Sequence, residues 1–276
     1  MNRLFVVLGS DSRFRYTAEE LRLNGYEVCM FDEIKPSELS SLRLREKALV
    51  LPLPFSRDKR SLNLPSLPFA VTLKGVLSLL REGDYVFGGM LSEEFTSEVT
   101  QASATAYDYY DENMINANAV LTAEALIKLL GELKLDEATL KFAVTGFGRT
   151  ARAIAKAFSD NGTDFFITAR GERSESAAKS MNYDFVKLES FTEETCDYDV
   201  IINTVPAVIF DGDRLSALKS GVPIIDIASA PFGVTQSDAD KYGVTLVRAL
   251  ALPGKYFPDK AGVIIAQSII KFLKGR

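Results

Sequence analysis

Short apolar runs alternate with helix-patterned stretches along the whole chain, and this rhythm predicts an α/β fold with parallel sheets. Leu4–Leu8 reads as a buried strand, Gly9 to Arg13 as a turn, and Phe14–Asn24 as a helix closed by Gly25. Further strands are expected at Glu27–Phe31, Ala48–Leu51, Tyr85–Phe87 and Ala104–Tyr107. Between the third and fourth, "LPLPFSRDKRSLNLPSLPF" holds Pro52, Pro54, Pro65 and Pro68. That stretch cannot be regular helix or central strand, so a long shaped loop is expected at a strand's carboxyl end.

"NMINANAVLTAEALIKLLGELKL" follows. Val120, Leu121, Leu126, Ile127, Leu129, Leu130 and Leu133 suit a helix over 118–133 that is buried on most sides, with Asn118 or Thr122 as cap. The alternation then restarts, with strands expected at Phe142–Val144, Phe165–Thr168, Val200–Asn203, Pro223–Asp226 and Thr245–Val247. Helices are expected after Arg149, around Ser174–Met181 and around Asp213–Leu218. "ALALPGKYFPDKAG" reads as a defined loop built by Pro253, Gly254 and Pro258, leading into a last helix, Lys260–Leu273. No internal repeat appears beyond the shared rhythm. The expected domains are 1–117 plus 257–276, and 118–256, the second including the long connecting helix.

Composition narrows the chemistry. A chain of 276 residues suits two domains better than one small core. A net charge of −5 without a basic block disfavours nucleic acid as a partner. Cys29 and Cys196 are isolated thiols, suited to a reducing cytosol and forming neither a disulfide framework nor a metal site. The apolar run in "MNRLFVVLGSDSR" is too short for a signal peptide, and the last helix is interrupted by Gln267, Ser268 and Lys271; no membrane association is expected. There is no histidine. Catalysis at neutral pH therefore falls to Lys, Tyr, Asp, Glu, Arg, backbone or water, and serine triads and His-ligated zinc drop out.

"VTGFGRTA" fits the dinucleotide pattern G-x-G-x-x-A, with a strand before it and a helix after it. Gly146 makes the turn, Gly148 lets backbone approach a pyrophosphate, and Ala151 keeps the third position small. Helix-start amides around Gly146, Phe147, Gly148, Arg149 and Thr150 then face the phosphates. The residue ending the next strand reads the adenosine ribose, and an acid there would indicate NAD. Here the strand ends in "FFITARGERSES". Ala169 carries no charge, Arg170 lies 24 residues beyond Gly146, and Arg173 follows. Guanidinium groups suit a 2′-phosphate, so NADP is favoured, with NAD as the alternative if Glu172 or Glu175 contacts the ribose. "VIINTVPAVIF" and "PIIDIASAPFG" supply two more strand-end loops. Thr204, Val205 and Pro206, with Ala228 and Ser229 beside Asp226, are expected to line the same crevice.

These segments together resemble the A-subunit family of dipicolinate synthases from spore-forming bacteria. "VVLGSDSR", "DENMINANAVLTAEALI", "TGFGRTA" with "AR", "INTVPA", "IDIASAPFG" and "ALPGKYFPDKAG" carry the likeness over nearly the whole chain. The resemblance implies two doubly wound parallel-sheet domains linked by a long helix: an N-terminal flavodoxin-like domain and a C-terminal NAD(P)-binding Rossmann domain, with the last helix returning to the first domain. The architecture is similar to that of D-2-hydroxyacid dehydrogenases, but their histidine-dependent reaction does not carry over to a chain without histidine. The implied activity is oxidation of dihydrodipicolinate, or its hydrated precursor, to pyridine-2,6-dicarboxylate. It takes place in the mother-cell cytoplasm on a branch of the lysine pathway. The implied partner is a flavoprotein-like B subunit, and a homo-oligomer is expected. A small dicarboxylate substrate needs cationic or amide partners, and the candidates are Arg13, Arg57, Lys59 and Lys255; Gly88 and Gly89 either offer amides or mark a turn that needs small residues. Lys or Tyr would take the proton through water. Two other readings are an NADP-dependent dehydrogenase of another small carboxylate and a non-catalytic NADP-binding regulatory component of a flavoprotein complex.

Overall fold

The computed structural model describes residues 3–33, 44–192 and 197–275; Cys196 lies outside the described residues. The chain divides into two compact units, 1–118 with 257–276, and 119–256. The division falls inside one long helix.

Unit 1 runs β1 (Leu4–Val7), α1 (Ser12–Leu23), β2 (Glu27–Met30), β3 (Lys47–Val50), α2 (Leu73–Leu77), β4 (Tyr85–Gly88), α3 (Glu93–Gln101) and β5 (Thr105–Asp108). It then takes in the first residues of α4 (Glu112–Glu132). Its sheet is parallel in the order β2-β1-β3-β4-β5, which is the flavodoxin-like order. Strands β1 and β3 are buried along their whole length, because apolar layers cover both faces. Phe55, Leu62 and Leu64 from the proline-rich loop help build one layer. The other contains Phe14, Ala18 and Leu21 of α1 with Ile265, Ile269 and Ile270 of α10 (Pro258–Lys274), the last helix of the chain.

α10 approaches α1 closely at Gly262, where an added Cβ would sit 2.3 Å from the Arg13 carbonyl oxygen. The buried Thr17 hydroxyl donates to the Gly262 carbonyl at 3.0 Å. Beneath the amino ends of the strands, the fully buried Lys47 ammonium meets Asp84 at 2.6 Å. The same carboxylate accepts the Lys47 and Arg81 amides.

Unit 2 continues from α4 through β6 (Lys141–Thr145), α5 (Arg149–Asn161), β7 (Asp164–Ala169), α6 (Glu172–Ser180) and β8 (Asp184–Lys187). There follow β9 (Val200–Asn203), α7 (Gly212–Ser216), β10 (Ile224–Asp226), α8 (Gln236–Lys241), β11 (Leu246–Arg248) and α9 (Leu252–Tyr256). The parallel sheet has the order β11-β10-β9-β6-β7-β8. Counted from its own first strand this is the Rossmann order, in which the strand sequence reverses between the first and fourth strands, here β6 and β9.

Several expectations are corrected. The long helix begins at Glu112 rather than Asn118, because the Asp111 carboxylate caps it by accepting the Met114 amide at 2.8 Å. Asn118 and Thr122 are interior positions. Val120, at 52% exposed, and Leu133, at 38%, do not join the buried side of the helix. The helix is long and apolar enough to cross a membrane by composition alone, yet Leu126 and Leu130 are fully buried within the protein. Leu252–Tyr256 is a short helix, not a loop: Pro253 and Gly254 fall in its first turn, where proline needs no amide partner. β8 and α8 escape the sequence pattern. β8 is an edge strand with no buried residue, and α8 offers only Ala239 to the core.

Candidate functional site

The carboxyl edge of the unit 2 sheet is built from the glycine turn outward. After Thr145 the chain turns at Gly146, whose φ of +83° favours glycine. The Gly146 amide continues the ladder to the Thr168 carbonyl at 2.8 Å. A Cβ here would lie 2.9 Å from both Thr204 Oγ1 and Val205 Cγ2. The turn is thus wedged against the loop after β9, at the switch point of the sheet. Phe147 is buried, and its ring meets Tyr183 edge-on at 6.4 Å. Gly148 caps α5 with no side-chain acceptor for the helix-start amides, and an added Cβ would point into open space. α5 also has no acidic residue in its first turn. A cap residue with no side-chain acceptor of its own, open on its Cβ side, and a first turn free of acidic residues make the start of α5 a candidate anion cradle. Ala151 is fully buried, as the third small position requires. Arg152 donates from Nε to the Phe147 carbonyl at 3.2 Å, bracing the turn from the helix side.

β7 ends at buried Ala169. Arg170 and Arg173 follow, exposed and without an ion pair or side-chain hydrogen bond among the described residues. Of the two carboxylates weighed against them, Glu175 is held by Lys179 at 2.7 Å and Lys187 at 3.9 Å, which lowers its pKa, whereas Glu172 is exposed in the first turn of α6. Past the switch point, Thr204 and Val205 are half-buried and Pro206 is exposed; Ala228 is buried and Ser229 exposed after β10. These loops are anchored from below by Asn203 and Asp226, both fully buried. Asn203 Oδ1 accepts from Thr145 Oγ1 at 2.6 Å and from the Val205 amide at 3.2 Å. Its Nδ2 donates to Asp226 Oδ1 at 2.8 Å and to the Val205 carbonyl at 3.1 Å. Asp226 also accepts the amides of Ala228 at 3.1 Å and Gly233 at 2.9 Å, together with Arg248 Nη1. Sequence reasoning overlooked Arg248. Its one signal was a lone cation closing an otherwise apolar strand, "TLVRAL".

The cationic candidates are distributed over both units. Arg13, at the start of α1, directs Nε and Nη2 to Asp11, each at 2.9 Å, and Nη2 also to the Leu53 carbonyl at 3.1 Å. Burial opposes its charge, but Asp11 outweighs burial and the pKa is raised. Arg13 and the loop holding Arg57 follow β1 and β3, the switch point of the unit 1 sheet. Arg57 is exposed and has no side-chain partner among the described residues; Lys59 is exposed, at φ +59°. Lys255 is in unit 2 on α9, exposed, with Nζ 5.0 Å from the centre of the Tyr256 ring. Of the two readings of Gly88 and Gly89, the structure favours the small-residue turn. Both are buried, the Gly89 amide lies 3.4 Å from the Pro52 carbonyl, and an added Cβ on Gly89 would meet Leu53 and Tyr109. They are small for packing. Three tyrosines are poorly set as bases. Burial raises the pKa of Tyr107 and Tyr109, and a hydrogen bond to Glu132 raises that of Tyr256.

Two doubly wound parallel-sheet domains give the chain a fold that resembles that of D-2-hydroxyacid dehydrogenases. A D-lactate dehydrogenase from Sporolactobacillus superposes with a TM-score of 0.61 at 12% identity, over 98% of this chain and 95% of its own. More specifically, the chain resembles the A subunit of dipicolinate synthase. The crystal structure of that protein from Bacillus halodurans matches with a TM-score of 0.82 at 21% identity, covering 99% of this chain and 98% of the other. In sequence, the dipicolinate synthase A subunit of Bacillus subtilis (strain 168) is 28% identical over 192 residues, 68% of this chain. The aligned stretch spans 64% of that relative's length. No family model matches the chain.

Proposed function

We propose that the chain is the A subunit of a dipicolinate synthase, an NADP-dependent oxidoreductase that converts dihydrodipicolinate, or its hydrated precursor, to pyridine-2,6-dicarboxylate. The observation that carries the reading is the cradle at Gly146–Arg149 on a Rossmann-ordered sheet, in a chain similar in sequence to the dipicolinate synthase A subunit. When bound, the nicotinamide accepts a hydride, and aromatisation of the substrate ring supplies much of the driving force. The protein's own part is to bind and orient. The amides at Gly148–Thr150 hold the pyrophosphate, and Arg170 and Arg173 take the 2′-phosphate. Thr204–Pro206 and Ala228–Ser229 border the other half of the cofactor. Arg13 and Arg57 are the cations that unit 1 offers to a carboxylate, and Lys255 is the one that unit 2 offers. The proton released with the hydride is taken by Lys or Tyr through water. A flavoprotein-like B subunit is the partner, in the mother-cell cytoplasm of a spore-forming bacterium.

The test supplies purified protein, with and without that partner, with fresh dihydrodipicolinate precursor and NADP⁺ or NAD⁺. Pyridine dicarboxylate absorbance and cofactor reduction are followed together. Product with matching reduction of NADP⁺ supports the reading; no product under any combination refutes it. Arg170→Asp should weaken NADP⁺ binding by about 1.5–3 kcal/mol, the scale of a charge-assisted hydrogen bond, and leave NAD⁺ little changed. An unchanged preference removes the argument for NADP.

A further inference from the structure

One row of polar residues crosses the carboxyl edge of the unit 2 sheet. Parallel pairing sets Thr168, Thr145, Asn203, Asp226 and Arg248 level with one another on five neighbouring strands. The first four are fully buried. Apolar residues would suit this level of a doubly covered sheet better, since buried polar groups cost free energy unless each is paired. A buried ion pair such as Asp226–Arg248 also adds little net stability, so the row is not explained by folding energy alone.

What the row holds is more informative. Asn203 grips both the amide and the carbonyl of Val205. Asp226 grips the amides of Ala228 and Gly233. Arg248 Nη2 donates to the Val234 carbonyl at 2.9 Å, and its guanidinium lies 4.2 Å from the centre of the Phe232 ring. Gly233 has no room to move inward, because an added Cβ would sit 2.2 Å from Asn203 Nδ2. All these loop groups belong to the turns after β9 and β10. At the β7 end, the Thr168 hydroxyl is buried without a partner among the described residues, so the side-chain chain stops short of the turn that holds Arg170.

We infer that Asn203, Asp226 and Arg248 are positioning residues for the nicotinamide half of the cofactor. This rests on the dinucleotide reading above. A Rossmann sheet binds the adenosine half over its first two strands and the other half across the switch point. The network braces loops only on that second side. Its loss therefore weakens the contacts of the nicotinamide half and spares those of the adenosine half.

The experiment uses the full chain and calorimetric titration with two ligands, NADP⁺ and adenosine 2′,5′-bisphosphate, which lacks the nicotinamide half. Arg248→Met is the primary variant, because that side chain is 23% exposed and its loss opens no deep cavity. Asn203→Ser is the second, and thermal unfolding checks that both fold. NADP⁺ affinity should fall about tenfold, the lower end of the scale seen when outer partners of metal ligands are lost, with the bisphosphate changed less than ~2-fold. Arg248→Lys, which keeps the charge on Asp226, should recover part of the loss. Equal weakening of both ligands, or of neither, overturns the inference. Wild-type protein that binds neither NADP⁺ nor NAD⁺ refutes the dinucleotide reading itself, a different outcome from either.

Discussion

The two glycines of the fingerprint have separable roles, and alanine at each tells them apart. At Gly146 the φ of +83° places an alanine in the left-handed region, at roughly 1–2 kcal/mol. Its methyl would also begin 2.9 Å from Thr204 Oγ1 and Val205 Cγ2. Neither neighbour yields freely: the Thr204 hydroxyl donates to the Thr145 carbonyl at 2.8 Å, and Val205 is held by Asn203. Overpacking against such a wall adds roughly 1–3 kcal/mol. Gly146→Ala should therefore destabilise unit 2 by about 2–5 kcal/mol. Gly148 differs on both counts. Its φ of −77° and ψ of −170° are open to any residue, and nothing lies within 4 Å of an added Cβ. Gly148→Ala should cost at most ~1 kcal/mol, the penalty of alanine at a helix cap. Yet its methyl occupies the approach to the helix-start amides, so NADP⁺ affinity should fall ~10-fold or more. Scanning calorimetry gives the first quantity and titration calorimetry the second. If both variants unfold at the same temperature, the assignment of wedge to Gly146 and open cradle to Gly148 is wrong.

Three further outcomes follow from the packing of unit 1. Asp84→Ala leaves the buried Lys47 ammonium unpaired and should cost about 3–5 kcal/mol by chemical denaturation, whereas a Lys47→Met, Asp84→Leu pair should recover most of that loss. Gly262→Ala pushes a methyl against the Arg13 carbonyl and should lower stability by roughly 1–3 kcal/mol, read as faster amide exchange in α1 and α10. Hydrogen bonds from the Ser61 hydroxyl, then from the Ser61 and Arg60 amides, hold Asp58 well below the usual carboxylate range. A lowered folded-state value means that this support is complete above about pH 4 and is lost only as the pH falls through the lower folded value. Protection of the Arg60 and Ser61 amides should persist at pH 4 in wild type and be absent at all pH values in Asp58→Ala.

Periodicity made the central strands most legible, because β1, β3, β9 and β10 are buried along their whole length and read as near-continuous apolar runs. β8 shows the limit: as an edge strand with no buried residue, it carries no such run. Capping was harder to read. Asp111, not Asn118, starts the long helix, since any of several polar residues can accept a helix-start amide and only the three-dimensional turn selects one. The glycine pattern and the arginines after β7 were visible because both act locally, through backbone conformation and charge at a strand end.

By itself the sequence determined the α/β rhythm, the Gly146–Ala151 turn, the absence of histidine chemistry and the pair of arginines that follows β7. Only the tertiary structure decided the strand orders, and with them the switch points. It also decided that Arg13 is tied to Asp11, and that Asn203, Asp226 and Arg248 form one row. The physical reason is distance along the chain. Asn203 and Arg248 meet Asp226 from strands 23 and 22 residues away, and hydrogen bonds across a sheet leave no periodic mark on the sequence that makes them.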